Sequence, residues 1–142
     1  MTAVEDPRRY ERRCERLREL WDASTAEASY TPYPPHPFTP GLLTDNAVLV
    51  ADNDGIVVGT LYLSTANPGF GFVFGVYVVP EARRRGVAEA LVRAAARILR
   101  DDDRPYLVVG VDSPNEGARA LYAKLGFVDQ ARTLRADVDG LL

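Results

Sequence analysis

The sequence predicts an α/β domain in which helices are layered on a single sheet. Apolar residues alternate as in strands, then recur every three or four residues as in helices, in the order helix, hairpin, strand, helix, strand, helix, strand. Two apolar runs flank Asn53-Asp54-Gly55, a strong local signal for a tight hairpin. With 142 residues, 46% of them hydrophobic, the chain is sized for one core, so residues 1–142 are expected to form a single domain.

The first element is "DPRRYERRCERLRELWDAS". Asp6 is placed to cap it and Pro7 to open it, and Tyr10, Cys14, Leu17 and Trp21 fall on one stripe. The other face pairs arginines with glutamates three or four apart, as on a solvated helix. Residues 22–46 break the pattern, because five prolines between Thr31 and Gly41 remove backbone donors. Tyr30, Tyr33, His36 and Phe38 sit among them, which marks the segment as a ligand-facing loop rather than a linker.

The hairpin follows in "AVLVADNDGIVVGTLYLS", and "GFGFVFGVYVVP" supplies a third strand over residues 70–79, stopped by Pro80. Gly69, Gly71 and Gly75 have the wrong spacing for a dinucleotide fingerprint, and no helix opens there. Residues 88–100 read as a helix with a broad apolar face of Ala90, Leu91, Ala94, Ala95, Ile98 and Leu99. "DDDRP" ends it, and residues 106–111 read as a buried strand. "SPNEGARALYAKLGF" then reads as a short helix capped by Ser113, started by Pro114 and ended by Gly126.

Charge and composition exclude several classes of function. A formal net charge of −3 disfavours nucleic acid as a partner. Cys14 and His36 are single residues of their kinds, so no intramolecular disulfide and no cysteine- or histidine-based metal centre is expected. No apolar stretch reaches membrane length and the N-terminus is charged, so no membrane partner is expected and the cytoplasm is the expected compartment.

Against that acidic background, Arg83, Arg84 and Arg85 meet Gly86 where the third strand gives way to a helix. Glycine lets backbone approach a ligand closely, and the first turn of a helix offers unpaired N–H groups at its positive end. Arginine side chains add bidentate donors. The junction therefore reads as a phosphate or pyrophosphate cradle, set against the alternative of a solvated basic corner.

"VYVVPEARRRGVAEALV" resembles motif A of the GCN5-related N-acetyltransferase (GNAT) family, Arg/Gln-x-x-Gly-x-Gly/Ala, which residues 83–88 satisfy. "NEGARALYAKLGF" resembles the family's second block at Asn115, Ala118, Leu121, Tyr122, Gly126 and Phe127. The resemblance implies a mixed, mostly antiparallel central sheet flanked by helices and splayed where acetyl-CoA, the co-substrate, lies. Backbone around Val76, Tyr77 and Val78 would then meet the pantetheine and thioester. The junction residues Arg83, Arg84, Arg85, Gly86, Val87, Ala88 and Glu89 would hold the pyrophosphate, and Asn115 the pantetheine arm. Arg119 would reach a cofactor phosphate, and Tyr122 would lie near the thioester sulfur.

The reaction so implied is acetyl transfer to a primary amine of a small molecule or a protein. Its oxyanion needs a donor, for which the N–H near Val76 serves if the strand bulges there. Its leaving thiolate needs a proton, and a phenol with pKa of about 10 suits a thiol with pKa of about 8.5, which makes Tyr122 the candidate general acid. No family carboxylate is present to serve as base. The third strand carries only glycine and apolar side chains up to Val76, and Gly110 stands where the ribosomal-protein acetyltransferases have glutamate. Glu27, His36, Asp45 and Asp112 remain as candidates, with no choice among them.

A catalytically impaired CoA-binding regulatory module is the alternative reading, and a phosphate-binding structural domain the third. At the ends, "TAVE" would have to supply a first strand and "ARTLRADV" one of two final strands, with a homodimer completing the sheet.

Overall fold

The computed structural model describes residues 7–28 and 30–142. "TAVE" and the capping Asp6 lie outside them, as does the Tyr10 side chain. Helix α1 (Pro7–Glu27) runs past its expected end. Leu17 and Leu20 are buried and Trp21 and Ser24 half-buried, so the packed stripe continues one turn beyond Trp21. The proline-rich segment contains a further short helix, α2 (Pro40–Thr44), which Pro40 opens and buried Leu42 anchors.

Strands β1 (Ala47–Asn53) and β2 (Ile56–Ser64) form the expected hairpin. Asp54 and Gly55 both have left-handed φ, 52° and 86°, so the turn twists with the strands. Strand β3 (Phe70–Val78) pairs antiparallel with β2, and after helix α3 (Val87–Asp101) strand β4 (Tyr106–Val109) pairs parallel with β3. Helices α4 (Glu116–Lys124) and α5 (Val138–Leu141) follow. The sheet order is β1-β2-β3-β4, mixed and mostly antiparallel, with α3 as the crossover between its parallel strands.

Each face of the sheet carries its own layer. Leu91, Val92, Ala95 and Leu99 of α3 and Tyr122 of α4 pack on Leu61, Leu63 and Val73. Gly71 lets α3 lie close, since a Cβ there would come within 2.6 Å of Leu99 Cδ1. On the other face Trp21 of α1 meets Tyr62 edge-on at 5.2 Å, and Phe74 stacks on Tyr62 at 5.4 Å between ring centroids.

Two expectations at the C-terminal side fail. β4 ends at Val109, because residues 110–112 lose β3 as a pairing partner. "ARTLRADV" forms no strand: residues 128–137 carry no regular structure, and Val128 and Leu134 are 86% and 88% exposed. A strand needs a neighbouring ladder, and β3 is the only strand paired with β4 among the described residues.

Candidate active site

The site begins where two parallel strands stop pairing. β3 and β4 are in register from Phe70–Tyr106 to Val73–Val109 and then diverge. At the same level β3 bulges. Its pairing with β2 slips between Thr60 and Tyr62, which leaves Gly75 and Val76 without ladder partners on that strand, though the Thr60 hydroxyl donates to the Gly75 carbonyl at 3.3 Å. Gly75 has φ of 60°, and a Cβ there would fall 2.6 Å from Tyr62 Cδ2, so only glycine makes this bend without displacing the aromatic layer.

The parted strands open a cleft. Phe74, Gly75 and Val76 line one wall, and residues 109–112 line the other. Ser24 of α1 closes one side, while Asn115, Ala118 and Tyr122 of α4 close the other. The Asn115 N–H donates to the Asp112 carbonyl at 2.9 Å, forming a turn that carries the chain from β4 into α4. Asn115, not Ser113, caps α4: its Oδ1 accepts from Ala118 N at 3.1 Å.

Tyr122 is buried, with Phe127 edge-on at 5.1 Å. Gly126, at φ of 93°, turns the chain back so that the Phe127 N–H reaches the Tyr122 carbonyl at 2.9 Å. Burial raises the Tyr122 phenol above its ordinary value, so it holds its proton throughout the neutral range.

The arginine junction lies beyond the end of β3. A single 3₁₀ turn, Pro80–Ala82, leads into Arg84 at φ of 63° and Gly86 at φ of 77°. Left-handed residues this close together gather backbone N–H groups into a concavity suited to anions. Gly86 O accepts the first helical bond, from Ala90 N at 3.0 Å, so the N–H groups of Val87, Ala88 and Glu89 precede the helical ladder. No atom lies within 4 Å of the place a Gly86 Cβ would occupy, outside its own chain neighbours.

The three arginines have different surroundings. Arg83 Nη2 donates to both Glu27 oxygens at 2.9 and 2.8 Å, and its Nε donates to the Val78 carbonyl at 2.9 Å. Its guanidinium also lies 5.5 Å from the Tyr77 ring centre. Tyr77 and Arg83 together hold the Glu27 carboxyl below its ordinary value, while desolvation and Glu27 raise the Tyr77 phenol. Arg84 and Arg85 are exposed and form no ion pair among the described residues.

The fold thus brings Val76, Asn115 and Tyr122 to one cleft and residues 84–89 to one helix start, while Tyr77 and Arg83 join Glu27. Of the four candidate bases, Glu27 is engaged in that bridge. Asp45 stands at the end of α2, and His36 sits in the proline-rich loop, its carbonyl held by Trp21 Nε1 at 2.8 Å. Asp112 lines the cleft. Phe74 lines it beside Val76, and Ser24, not expected from the sequence, lines it as well. Ser24 stands seven residues after Leu17 on the packed stripe, a signal present in the sequence had the stripe been followed another turn.

The family model described as Acetyltransferase (GNAT) family matches residues 12–127. A mycothiol acetyltransferase of Paenarthrobacter aurescens is 44% identical over 62 residues, which are 44% of this chain and 19% of that protein. The chain spans between 19% and 28% of the length of the mycothiol acetyltransferases it matches. An uncharacterized N-acetyltransferase of Mycobacterium bovis is 28% identical over 124 residues, covering 85% of this chain and 74% of that one. Among solved structures, the ribosomal-protein-alanine N-acetyltransferase of Brucella melitensis biovar Abortus 2308 superposes with a TM-score of 0.70 at 24% identity, over 89% of this chain and 94% of that one.

Proposed function

The chain belongs to the GNAT family of acetyltransferases, and on that premise we propose that it moves the acetyl group of acetyl-CoA to a primary amine, with Tyr122 as general acid. The observation that carries the proposal is the cleft between the parted ends of β3 and β4, which holds the bulged Val76, Asn115 and Tyr122 together. The donors nearby suit the co-substrate. Its diphosphate is anionic and meets the N–H groups of residues 87–89 and the exposed Arg84 and Arg85. Asn115 has spent Oδ1 on capping α4, which leaves its Nδ2 to donate to an amide carbonyl in the cleft.

Acetyl-CoA supplies a thioester, whose carbon gains a bond to the amine nitrogen and loses its bond to sulfur. The Val76 N–H, in the bulge, stabilises the negative charge that grows on the carbonyl oxygen. Tyr122 gives its hydroxyl proton to the departing thiolate and regains one from solvent, to which the attacking nitrogen releases its own proton as the amide forms. The acceptor is a small-molecule or protein amine. A CoA-binding module without catalysis is the competing reading, favoured by the absence of carboxylate from the cleft-lining part of β3.

CoA release in the presence of a panel of primary amines decides between them. The wild type is expected to release CoA only when amine is present. Tyr122→Phe keeps the ring packed on Phe127 and is expected to lose about 10²-fold in kcat while binding acetyl-CoA unchanged. Full activity in Tyr122→Phe removes the general acid. Binding of acetyl-CoA without release by any amine favours the regulatory module.

A further inference from the structure

The cleft has two kinds of cation recogniser on opposite walls. Among the described residues, Asp112 is the one Asp, Glu, Lys or Arg that lines it. Its carboxylate makes no hydrogen bond and no ion pair among the described residues, since the turn uses only its backbone carbonyl. Phe74, from β3, faces the same space. That ring belongs to an aromatic row, stacked on Tyr62 at 5.4 Å and on Phe72 at 6.2 Å and met edge-on by Trp21 at 6.3 Å. The row already accommodates a cation at its far end, where the Arg18 guanidinium lies 5.6 Å from the Phe38 ring centre.

No arginine or lysine among the described residues lines the cleft. Arg83 is committed to Glu27, and Arg84 and Arg85 stand at the start of α3. Charge is therefore segregated, with positive groups where the diphosphate end of the co-substrate would lie and a single negative group in the cleft. An acceptor with one amine offers that negative group nothing once its nitrogen has become a neutral nucleophile. An acceptor with a second amine keeps an ammonium for it.

We infer that Asp112 and Phe74 select the acceptor by binding a second, non-reacting ammonium group, so that the substrate class is a diamine or polyamine-like cation. The inference rests on the acetyltransferase reading and assigns the acceptor side of that same cleft. Asp112 here binds and orients. It takes no part in bond making.

The test compares 1,4-diaminobutane with n-butylamine, which has the same carbon chain and one amine fewer, as acceptors for the full chain, by kcat/KM for CoA release from saturating acetyl-CoA. In turnover the reacting nitrogen is neutral, so only the diamine keeps an ammonium for Asp112. The diamine is expected to have about tenfold higher kcat/KM than the monoamine, the scale of one charge-assisted contact. Asp112→Asn is expected to erase that preference, Phe74→Leu to reduce it, and added salt to weaken it because the carboxylate is exposed. Equal kcat/KM for the two amines, turnover of neither, or an unchanged preference in Asp112→Asn overturns the inference. A CoA-induced rise in melting temperature is recorded on the same samples. Its absence from the wild type overturns the acetyltransferase reading, and the inference with it. Its presence in Asp112→Asn shows that the variant folds and that any loss is on the amine side.

Discussion

Tyr62 shows what a single buried residue costs this fold. Its ring fills the layer between Trp21 and Phe74, and its hydroxyl is buried with no hydrogen-bond partner among the described residues. Replacing it with phenylalanine keeps the packing and removes an unsatisfied polar group, so Tyr62→Phe is expected to stabilise the protein by about 1 kcal/mol at neutral pH. Burial also pushes the Tyr62 pKa up to about 12. A folded-state value above the unfolded value near 10 means that the neutral phenol's contribution is whole below pH 10 and is lost as pH rises through 12. The loss amounts to about 2.7 kcal/mol for two pH units. Denaturant melts at pH 8 and pH 11.5 should therefore show the advantage of the variant growing with pH, and a constant difference would refute this account of Tyr62. Burial runs unbroken from Gly59 to Leu63, because helices cover both faces of β2, so alternation along the strand does not mark Tyr62 as core. Whether the hydroxyl finds a partner depends on neighbours from α1 and β3, which alternation does not specify.

At the scale of elements, the β3–α3 junction carries the clearest expectation. Gly86 stands at the N-cap with φ of 77° and open space where a side chain would begin, so a substitution meets strain in the backbone rather than a clash. Left-handed backbone costs a residue other than glycine about 1–2 kcal/mol, a few degrees of melting temperature. At a hundredfold excess over its dissociation constant, acetyl-CoA is expected to stabilise the wild type by about 2.7 kcal/mol, or roughly 8 °C. Gly86→Glu, which adds a carboxylate beside the anion site, should melt cooperatively at a slightly lower temperature and show no acetyl-CoA shift. Gly86→Ala, with the strain but not the charge, should retain part of it. A full shift in Gly86→Glu would remove the junction from the cofactor site. The junction was legible because a glycine, an arginine run and a helix start are local signals. The bridge from Arg83 to Glu27 was not, since its partners are 56 residues apart and no local spacing joins the end of α1 to the end of β3.

Across the whole molecule the sheet is asymmetric. One edge, β1, is the outer strand of a hairpin, and the far side of β4 has no strand paired to it among the described residues. Leu134, Val138 and Leu141 are 88%, 70% and 74% exposed. We propose that a second copy associates with this one, as an open edge and exposed apolar groups each favour association. Sedimentation should show a dimer that Leu134→Asp weakens, and a wild-type monomer at the highest attainable concentration would refute it. By itself the sequence determined the order of the longer elements from α1 to α4, the hairpin turn, the glycine at the start of α3 and the family, because each is written in spacings of a few residues. Only the tertiary structure decided that "ARTLRADV" forms no strand, that Glu27 holds Arg83, and that Asp112 alone of the four candidate bases shares a cleft with Tyr122. Those outcomes turn on which distant segments meet, and contact between them follows from packing on the sheet rather than from any local preference of the chain.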